Sequence, residues 1–338
     1  MSGRQARIDG GDLFASRTQE IAEGIVHKGR LCGRNRFRVS LSLPGTRGNW
    51  QASFARVNLI GMTMQTWFIT GVNSGFGREL AEQLLSRGDR VAGTVRREGS
   101  VDDLHAKYGD RFWIGHLDVT DLRRVREVAD AAFRDLGRID VVVINAGYGL
   151  FGAAEEFTDE QVVHQINTNL LGSMQTARAV LPHLRAQGGG RVIQISSVAG
   201  LAAYAGASLY HASKWGVEGF TEALAQEVAP FGIEVTLVEP GGARTSFTGS
   251  SLRLSEPLAA YDGTPAAMVR AFRDTQITVP GDPVKVAAKV IDSAAQKVAP
   301  MRVILGSDSY QEVTAALRRR LAQVEPQHAS AAETDADS

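Results

Sequence analysis

The chain has 338 residues, 43% of them hydrophobic and 22% charged, and its 37 basic and 37 acidic side chains cancel to a formal net charge of zero. That length allows one large core in one α/β domain, and the neutral balance gives no electrostatic footprint for nucleic acid or an anionic membrane. A single cysteine, Cys32, excludes an intrachain disulfide, the seven histidines lack metal-binding spacing, and no apolar run reaches the ~18 residues of a membrane span, so a soluble, cytoplasmic, metal-free protein is expected.

Residues 1–61 are rich in Arg, Gly and Ser, show no sustained periodicity and end just before Met62 and Met64. They read as a disordered extension or as an over-call of a start codon that lies at Met62 or Met64, since Asp9, Asp12, Glu20 and Glu23 interrupt any targeting pattern. From Thr66 onward, short apolar runs alternate with helical stretches. The expected strands are Trp67 to Thr70, Arg90 to Val95, Phe112 to Leu117, Ile139 to Asn145, Arg191 to Ser196, Ile233 to Glu239 and Arg302 to Leu305. Helices are expected over Asp121 to Leu136, from a capping box at Thr158 and Gln161 through Leu184, and over Ala207 to Val228. This alternation predicts a single doubly wound parallel sheet of the Rossmann type, about seven strands covered by helices on both faces, over residues 62–324. The stretch 246–280 mixes Phe247, Leu252, Leu254, Leu258, Tyr261, Met268 and Phe272 with few acids and is expected to cover a substrate, and 325–338 to be a disordered tail.

Thr70-Gly71-Val72-Asn73-Ser74-Gly75-Phe76-Gly77 closes the first strand and opens a helix at about Arg78. Glycines let the chain turn sharply and let a pyrophosphate approach a helix N-terminus, where free N–H groups favour negative charge. A tight turn alone also uses glycines, but the strand-then-helix context favours a dinucleotide, with Gly71, Asn73, Ser74, Gly75, Phe76 and Gly77 around it. The second strand ends in Val95-Arg96-Arg97, with no carboxylate for a ribose 2′-hydroxyl. Arg96, nearer the strand end, suits a 2′-phosphate, so NADP(H) is favoured and NAD(H) is the alternative; ordinary surface charge is the other reading of both arginines.

Tyr210 and Lys214 stand four residues apart, one above the other if the segment is helical, and Ser197 lies 13 residues upstream of Tyr210. A cation about 4 Å from a phenol at an effective dielectric near 20 favours tyrosinate by roughly 4 kcal/mol, which moves its pKa from about 10 to near 7. Ser196 competes with Ser197, and the spacing favours Ser197. His211 adjoins Tyr210, but adjacent residues on a helix do not share a face.

With Asp118-Val119 after the third strand, Asn145-Ala146-Gly147 after the fourth, Asn169 and Pro240-Gly241, the chain resembles the short-chain dehydrogenase/reductase family over about 260 residues. Asn145 to Gly152 and Val238 to Thr245 are most similar to its 17-beta-hydroxysteroid-dehydrogenase-like branch. The resemblance implies hydride transfer between NADP(H) and a carbonyl or secondary alcohol, with Tyr210 as proton donor or base and Ser197 steadying the substrate oxygen. Lys214 is then expected to bind the nicotinamide ribose and lower the tyrosine pKa, and Asn169 to hold a water in a proton relay. Gly71, Gly75 and Gly77 are implied to cradle the pyrophosphate, Asp118 and Val119 to contact adenine, Asn145, Ala146 and Gly147 to line the cleft, and Pro240, Gly241 and the chain to Thr245 to flank the nicotinamide. Asp118 as a turn cap and Asn169 as a residue bonding nearby backbone are the alternatives. Ile144 stands where the family often has a first asparagine, so one hydrogen bond fewer is expected there.

An apolar carbonyl or secondary-alcohol substrate suits the covering segment, with Leu201 to Tyr204 as a further wall. Relatives pair through the helices that carry Asn169 and Tyr210, so a homodimer or homotetramer is expected. Rival readings are an NAD-linked alcohol dehydrogenase and a catalytically silent nucleotide sensor, which the presence of Tyr210 and Lys214 disfavours.

Overall fold

The computed structural model describes residues 64–245, 251–270 and 279–336. The expected extension 1–61 lies outside them, as do residues 246–250 and 271–278 of the expected cover, including Phe247 and Phe272. Nine strands are present: β1 Thr66–Ile69, β2 Arg90–Val95, β3 Phe112–His116, β4 Val141–Ile144, β5 Gly149–Phe151, β6 Gly190–Ile195, β7 Ile233–Pro240, β8 Leu252–Leu254 and β9 Arg302–Leu305, all counted among the described residues. The helices are α1 Gly75–Arg87, α2 Asp102–Tyr108, α3 Leu122–Leu136, α4 Asp159–Ile166, α5 Gly172–Ala186, α6 Ser208–Val228, α7 Pro283–Ala294, α8 Ser307–Val324 and α9 His328–Ala332.

Seven strands form one parallel sheet in the order β3-β2-β1-β4-β6-β7-β9, so the architecture is the doubly wound α/β sheet expected. Its strands are apolar on both sides because both sides are covered. In β1, Trp67 and Ile69 turn toward Leu80, Leu84 and Leu85 of α1 and Val290 of α7. Phe68 turns the other way, toward Val128 and Ala132 of α3 and Val180 and Leu184 of α5. The chain winds outward from β1 in one direction and resumes at β4 in the other, which leaves a crevice between the C-terminal ends of β1 and β4.

Local signals explain the helix starts. Asp121 caps α3 by accepting from the amides of Arg123 and Arg124, and the Thr158 capping box is closed by Gln161 in both directions. The long helix expected from that box is instead α4, a π-helical turn at Asn167–Leu171 and α5. The segment from Glu325, expected to be disordered, continues as a 3-10 turn Glu325–Gln327 and the short α9, fully exposed. Its Ala-rich sequence favours helix without any core contact. A parallel pair, β5 with β8, was not anticipated and lays the start of the cover against the chain that follows β4.

Candidate active site

Thr70 follows β1 directly, with its hydroxyl aimed across the crevice. Its Oγ1 accepts from the amides of Asn145 at 2.9 Å and Ala146 at 3.0 Å, and Asn145 Nδ2 donates back to the carbonyls of Thr70 at 2.9 Å and Gly71 at 3.0 Å. This clamp holds the glycine turn against the end of β4. Gly71 and Gly75 adopt φ of 74° and 58°, and a Cβ on Gly77 would stand 2.1 Å from the Gly71 carbonyl oxygen and 2.6 Å from Asn145 Nδ2. Ser74 makes no side-chain cap and the first turn of α1 carries no acid, so its N–H groups and dipole suit a pyrophosphate. Asn73 is exposed and Phe76 half-buried at the rim of this turn.

Arg96 is exposed just past the end of β2, near Asp118. Asp118 Oδ1 accepts from the Thr120 amide at 2.9 Å and hydroxyl at 2.7 Å, so the turn-cap reading is realised. Burial pushes its carboxyl up, but the Thr120 bonds, with Arg96 and His164 nearby, hold it below the ordinary value. Val119 is buried against Gly172, where a Cβ would meet its side chain at 2.9 Å. Asn169 lies in the π-helical turn. Its Oδ1 accepts from the Tyr148 amide at 3.0 Å, and its Nδ2 donates to the Tyr148 carbonyl at 2.9 Å and to Ser213 Oγ at 3.2 Å. The side chain is thus a strut between the strand following Gly147 and α6.

Tyr210, Ser213 and Lys214 are buried on α6. Ser197 starts the 3-10 turn after β6 and hydrogen-bonds Tyr210. Ser196 Oγ has no hydrogen-bond partner and lies on the Glu218 side of Gly200, where a Cβ would be 2.8 Å from both groups. Lys214 Nζ donates to the Ile195 carbonyl at 3.1 Å and stands 5.9 Å from the centre of the Tyr210 ring. The expected tyrosine pKa near 7 is therefore corrected. Burial pushes the phenol above its ordinary value against the Ser197 hydrogen bond, and burial pushes the ammonium down to about 8 against the Glu218 charge. His211 Nε2 accepts from the Tyr204 amide at 3.2 Å, so Nδ1 donates to the Ala199 carbonyl at 2.9 Å. Its ring is engaged away from Tyr210, and burial lowers its pKa.

The chain after β7 is held from the C-terminal side. The Gly241 amide donates to the Leu305 carbonyl at 2.8 Å, the Gly242 amide to Asp308 Oδ2 at 2.7 Å, and Ser309 Oγ to the Glu239 carbonyl at 2.9 Å. Pro240 ends β7, and Thr245 closes the described part of this loop. Sequence reasoning missed Asp308, Ser309, Tyr148 and Ser213, whose partners lie far along the chain. Glu239 did carry a signal, as a carboxylate one residue before the end of an apolar strand.

Phe151 of β5 packs edge-on against Tyr210 with ring centres 5.4 Å apart. It also opens a cavity of about 350 Å³ lined further by Leu254, Ser255, Pro257, Val269 and Arg270. Leu258 and Met268, expected as part of the apolar cover, are exposed instead, and Leu201 to Tyr204 do not line this cavity. No group of three metal-ligating side chains, and no helix long and apolar enough to cross a membrane, occurs among the described residues.

Residues 65–254 match the family described as short chain dehydrogenase. The oxidoreductase BOA17 of Botryotinia fuckeliana is 39% identical over 249 residues, covering 72% of this chain and 90% of that protein. The 3-ketodihydrosphingosine reductase of Bacteroides thetaiotaomicron is 36% identical over 251 residues, covering 72% and 89%. Among solved structures, a short-chain dehydrogenase from Streptomyces avermitilis superposes with a TM-score of 0.75 at 38% identity, over 81% of this chain and all of that one. An alcohol dehydrogenase from the archaeon Thermococcus sibiricus, complexed with 5-hydroxy-NADP, gives 0.59 at 25% identity over 72% and 96%. By sheet order, glycine turn and these likenesses together, the chain belongs to the short-chain dehydrogenases and is a nicotinamide-dependent oxidoreductase acting on CH–OH donors.

Proposed function

We propose that the chain interconverts an apolar ketone or aldehyde and its alcohol with NADP(H), working as a carbonyl reductase with Tyr210 as the proton donor. The observation that carries this reading is the Ser197–Tyr210 hydrogen bond, with Lys214 buried on the same helix, beside a cavity of mixed apolar and polar lining whose Phe151 packs against Tyr210. When bound, the nicotinamide supplies the hydride. Tyr210 gives its hydroxyl proton to the substrate oxygen, while the Ser197 hydroxyl hydrogen-bonds that oxygen as negative charge develops on it. Lys214, charged at neutral pH, stabilises the tyrosinate left behind. Gly71, Gly75, Gly77 and the start of α1 hold the pyrophosphate, Arg96 binds the 2′-phosphate, and Asp118 and Val119 border the adenine. Asn145, Ala146 and Gly147 line the cleft, and Pro240 to Thr245 flank the nicotinamide. Asn169 orders the relay side of the site through Tyr148 and Ser213. The relative named as a 3-ketodihydrosphingosine reductase supports a ketone substrate, and the neighbour holding an NADP derivative supports the cofactor. The catalytic unit spans 62–324 in this reading and pairs with a second copy through the helical run α4 to α5 that carries Asn169 and through α6.

The test follows oxidation of NADPH and NADH against a panel of apolar ketones and aldehydes, with Tyr210→Phe in parallel. The expected result is turnover with NADPH that drops by about 10²- to 10⁴-fold in the variant while NADPH binding persists. Turnover surviving in Tyr210→Phe sinks the proton-donor role, and cofactor binding without turnover of any carbonyl favours the silent sensor.

A further inference from the structure

Glu156 ends the 3-10 turn Ala154–Glu156 between β5 and α4, with its side chain only 2% exposed. A buried carboxylate is costly unless its oxygens are satisfied, and this one gathers donors from three separate stretches of chain. Oε2 accepts from the Ala153 amide at 2.9 Å and from Ser255 Oγ at 2.9 Å. Oε1 accepts from the Leu258 amide at 3.0 Å and from Arg270 Nη2 at 2.6 Å. Arg270 also donates to the Leu258 carbonyl at 3.1 Å and pairs with Asp262, tying the grip together. A Cβ on Gly152 would stand 1.8 Å from Ser255 Oγ, so the segment rests directly on the backbone after β5.

Burial alone would raise the Glu156 pKa, but its donors hold it at about 2. The group is anionic throughout the working range, with both oxygens engaged, and is no acid or base for the reaction. The segment it grips, from Ser255 to Arg270, supplies most of the cavity wall opposite Phe151. The apolar contacts of Leu254 and Val269 are non-directional and do not fix that wall by themselves. We propose that Glu156 is a positioning residue for the substrate: it clamps residues 255–270 as the outer wall of the cavity and so sets the affinity for the carbonyl ligand, leaving hydride and proton transfer to the Tyr210 centre. The inference rests on reading that cavity as the substrate site.

Glu156→Gln keeps the size of the side chain but replaces one acceptor oxygen by a donor facing donors. Amide hydrogen exchange in peptides from 252–270 is expected to rise at least about tenfold, the scale of one lost charge-assisted hydrogen bond, with exchange in β1 and β4 unchanged. KM for the best ketone of the panel is expected to rise about tenfold, with kcat and the NADPH dissociation constant within about twofold of the parent. Arg270→Ala should reproduce this pattern, and the double variant should be no worse than the more affected single one. Unchanged exchange in 252–270, a loss confined to kcat, or exchange rising across the whole sheet overturns the proposal. The exchange and cofactor readouts do not depend on turnover, so a failed clamp is distinguishable from a failed Tyr210 mechanism, which Tyr210→Phe tests.

Discussion

Lys214 sits one helical turn from Tyr210, and its ammonium donates to the Ile195 carbonyl while standing 5.9 Å from the centre of the Tyr210 ring. Spacing brought the pair onto one helix but left out the loss of water, which raises the phenol and lowers the ammonium in pKa. At the other end of the cleft, Arg96 is exposed beyond β2, and its charge reaches Asp118 and Tyr148. An exposed guanidinium at this position is free to meet a 2′-phosphate bidentately and has little to do for NADH. Arg96→Ala is expected to weaken NADPH binding by about 10- to 100-fold, the worth of a charge-assisted pair. The dissociation constant of NADH should stay within about twofold, since the glycine cradle is untouched. Fluorescence titration with both cofactors checks this, and equal weakening of the two assigns Arg96 to general surface charge.

At the scale of elements, Arg302 of β9 joins α6 to β7. Its guanidinium donates to Glu218 at 2.6 Å and also pairs with Glu222 and Glu239. Two buried carboxylates, Glu218 and Glu239, with the half-exposed Glu222 beside them, leave excess negative charge around one cation. Burial and the nearby Glu218 push Glu239 up to about 7 from an ordinary 4.5, with Arg302 opposing. A raised folded-state pKa means that the folded protein holds this proton more tightly than the unfolded chain. The contribution to stability is complete below about pH 4.5 and is lost as pH rises through about 7. Glu239→Gln removes that titration while keeping the side-chain volume. Its melting temperature relative to the parent is expected to climb between pH 4.5 and 7 and then level off; a pH-independent difference across this range would refute the shift. The capping box at Thr158 was legible because it is local, whereas the π-helical turn that carries Asn169 left no comparable mark in the sequence.

For the whole molecule, the parallel order decides where chemistry can occur, because the switch between β1 and β4 opens a crevice bordered by both the glycine turn and the Asn145 corner. α4 and α6 also leave apolar surface uncovered: Val163 is 57% exposed and Trp215 41%. They belong to the helical runs carrying Asn169 and Tyr210, the expected pairing face, and covering such side chains with a second copy removes them from water. Val163→Glu places a charge there without touching the core. Light scattering is expected to show an oligomer for the parent and a shift toward monomer for this variant, and a monomeric parent contradicts the pairing.

The sequence by itself determined the seven sheet strands, the glycine turn, the Thr158 capping box and the Ser197, Tyr210 and Lys214 spacing, because each depends on periodicity or on residues a few positions apart. Only the tertiary structure decided that Thr70 locks onto Asn145, that Glu156 grips Ser255 and Arg270, and that burial raises the pKa of the Tyr210 phenol. The gripping partners are 75, 99 and 114 residues apart, and no periodic pattern links them. The tyrosine pKa is set by how much water the folded core removes, a quantity that exists only once the sheet, α6 and the covering segment have come together.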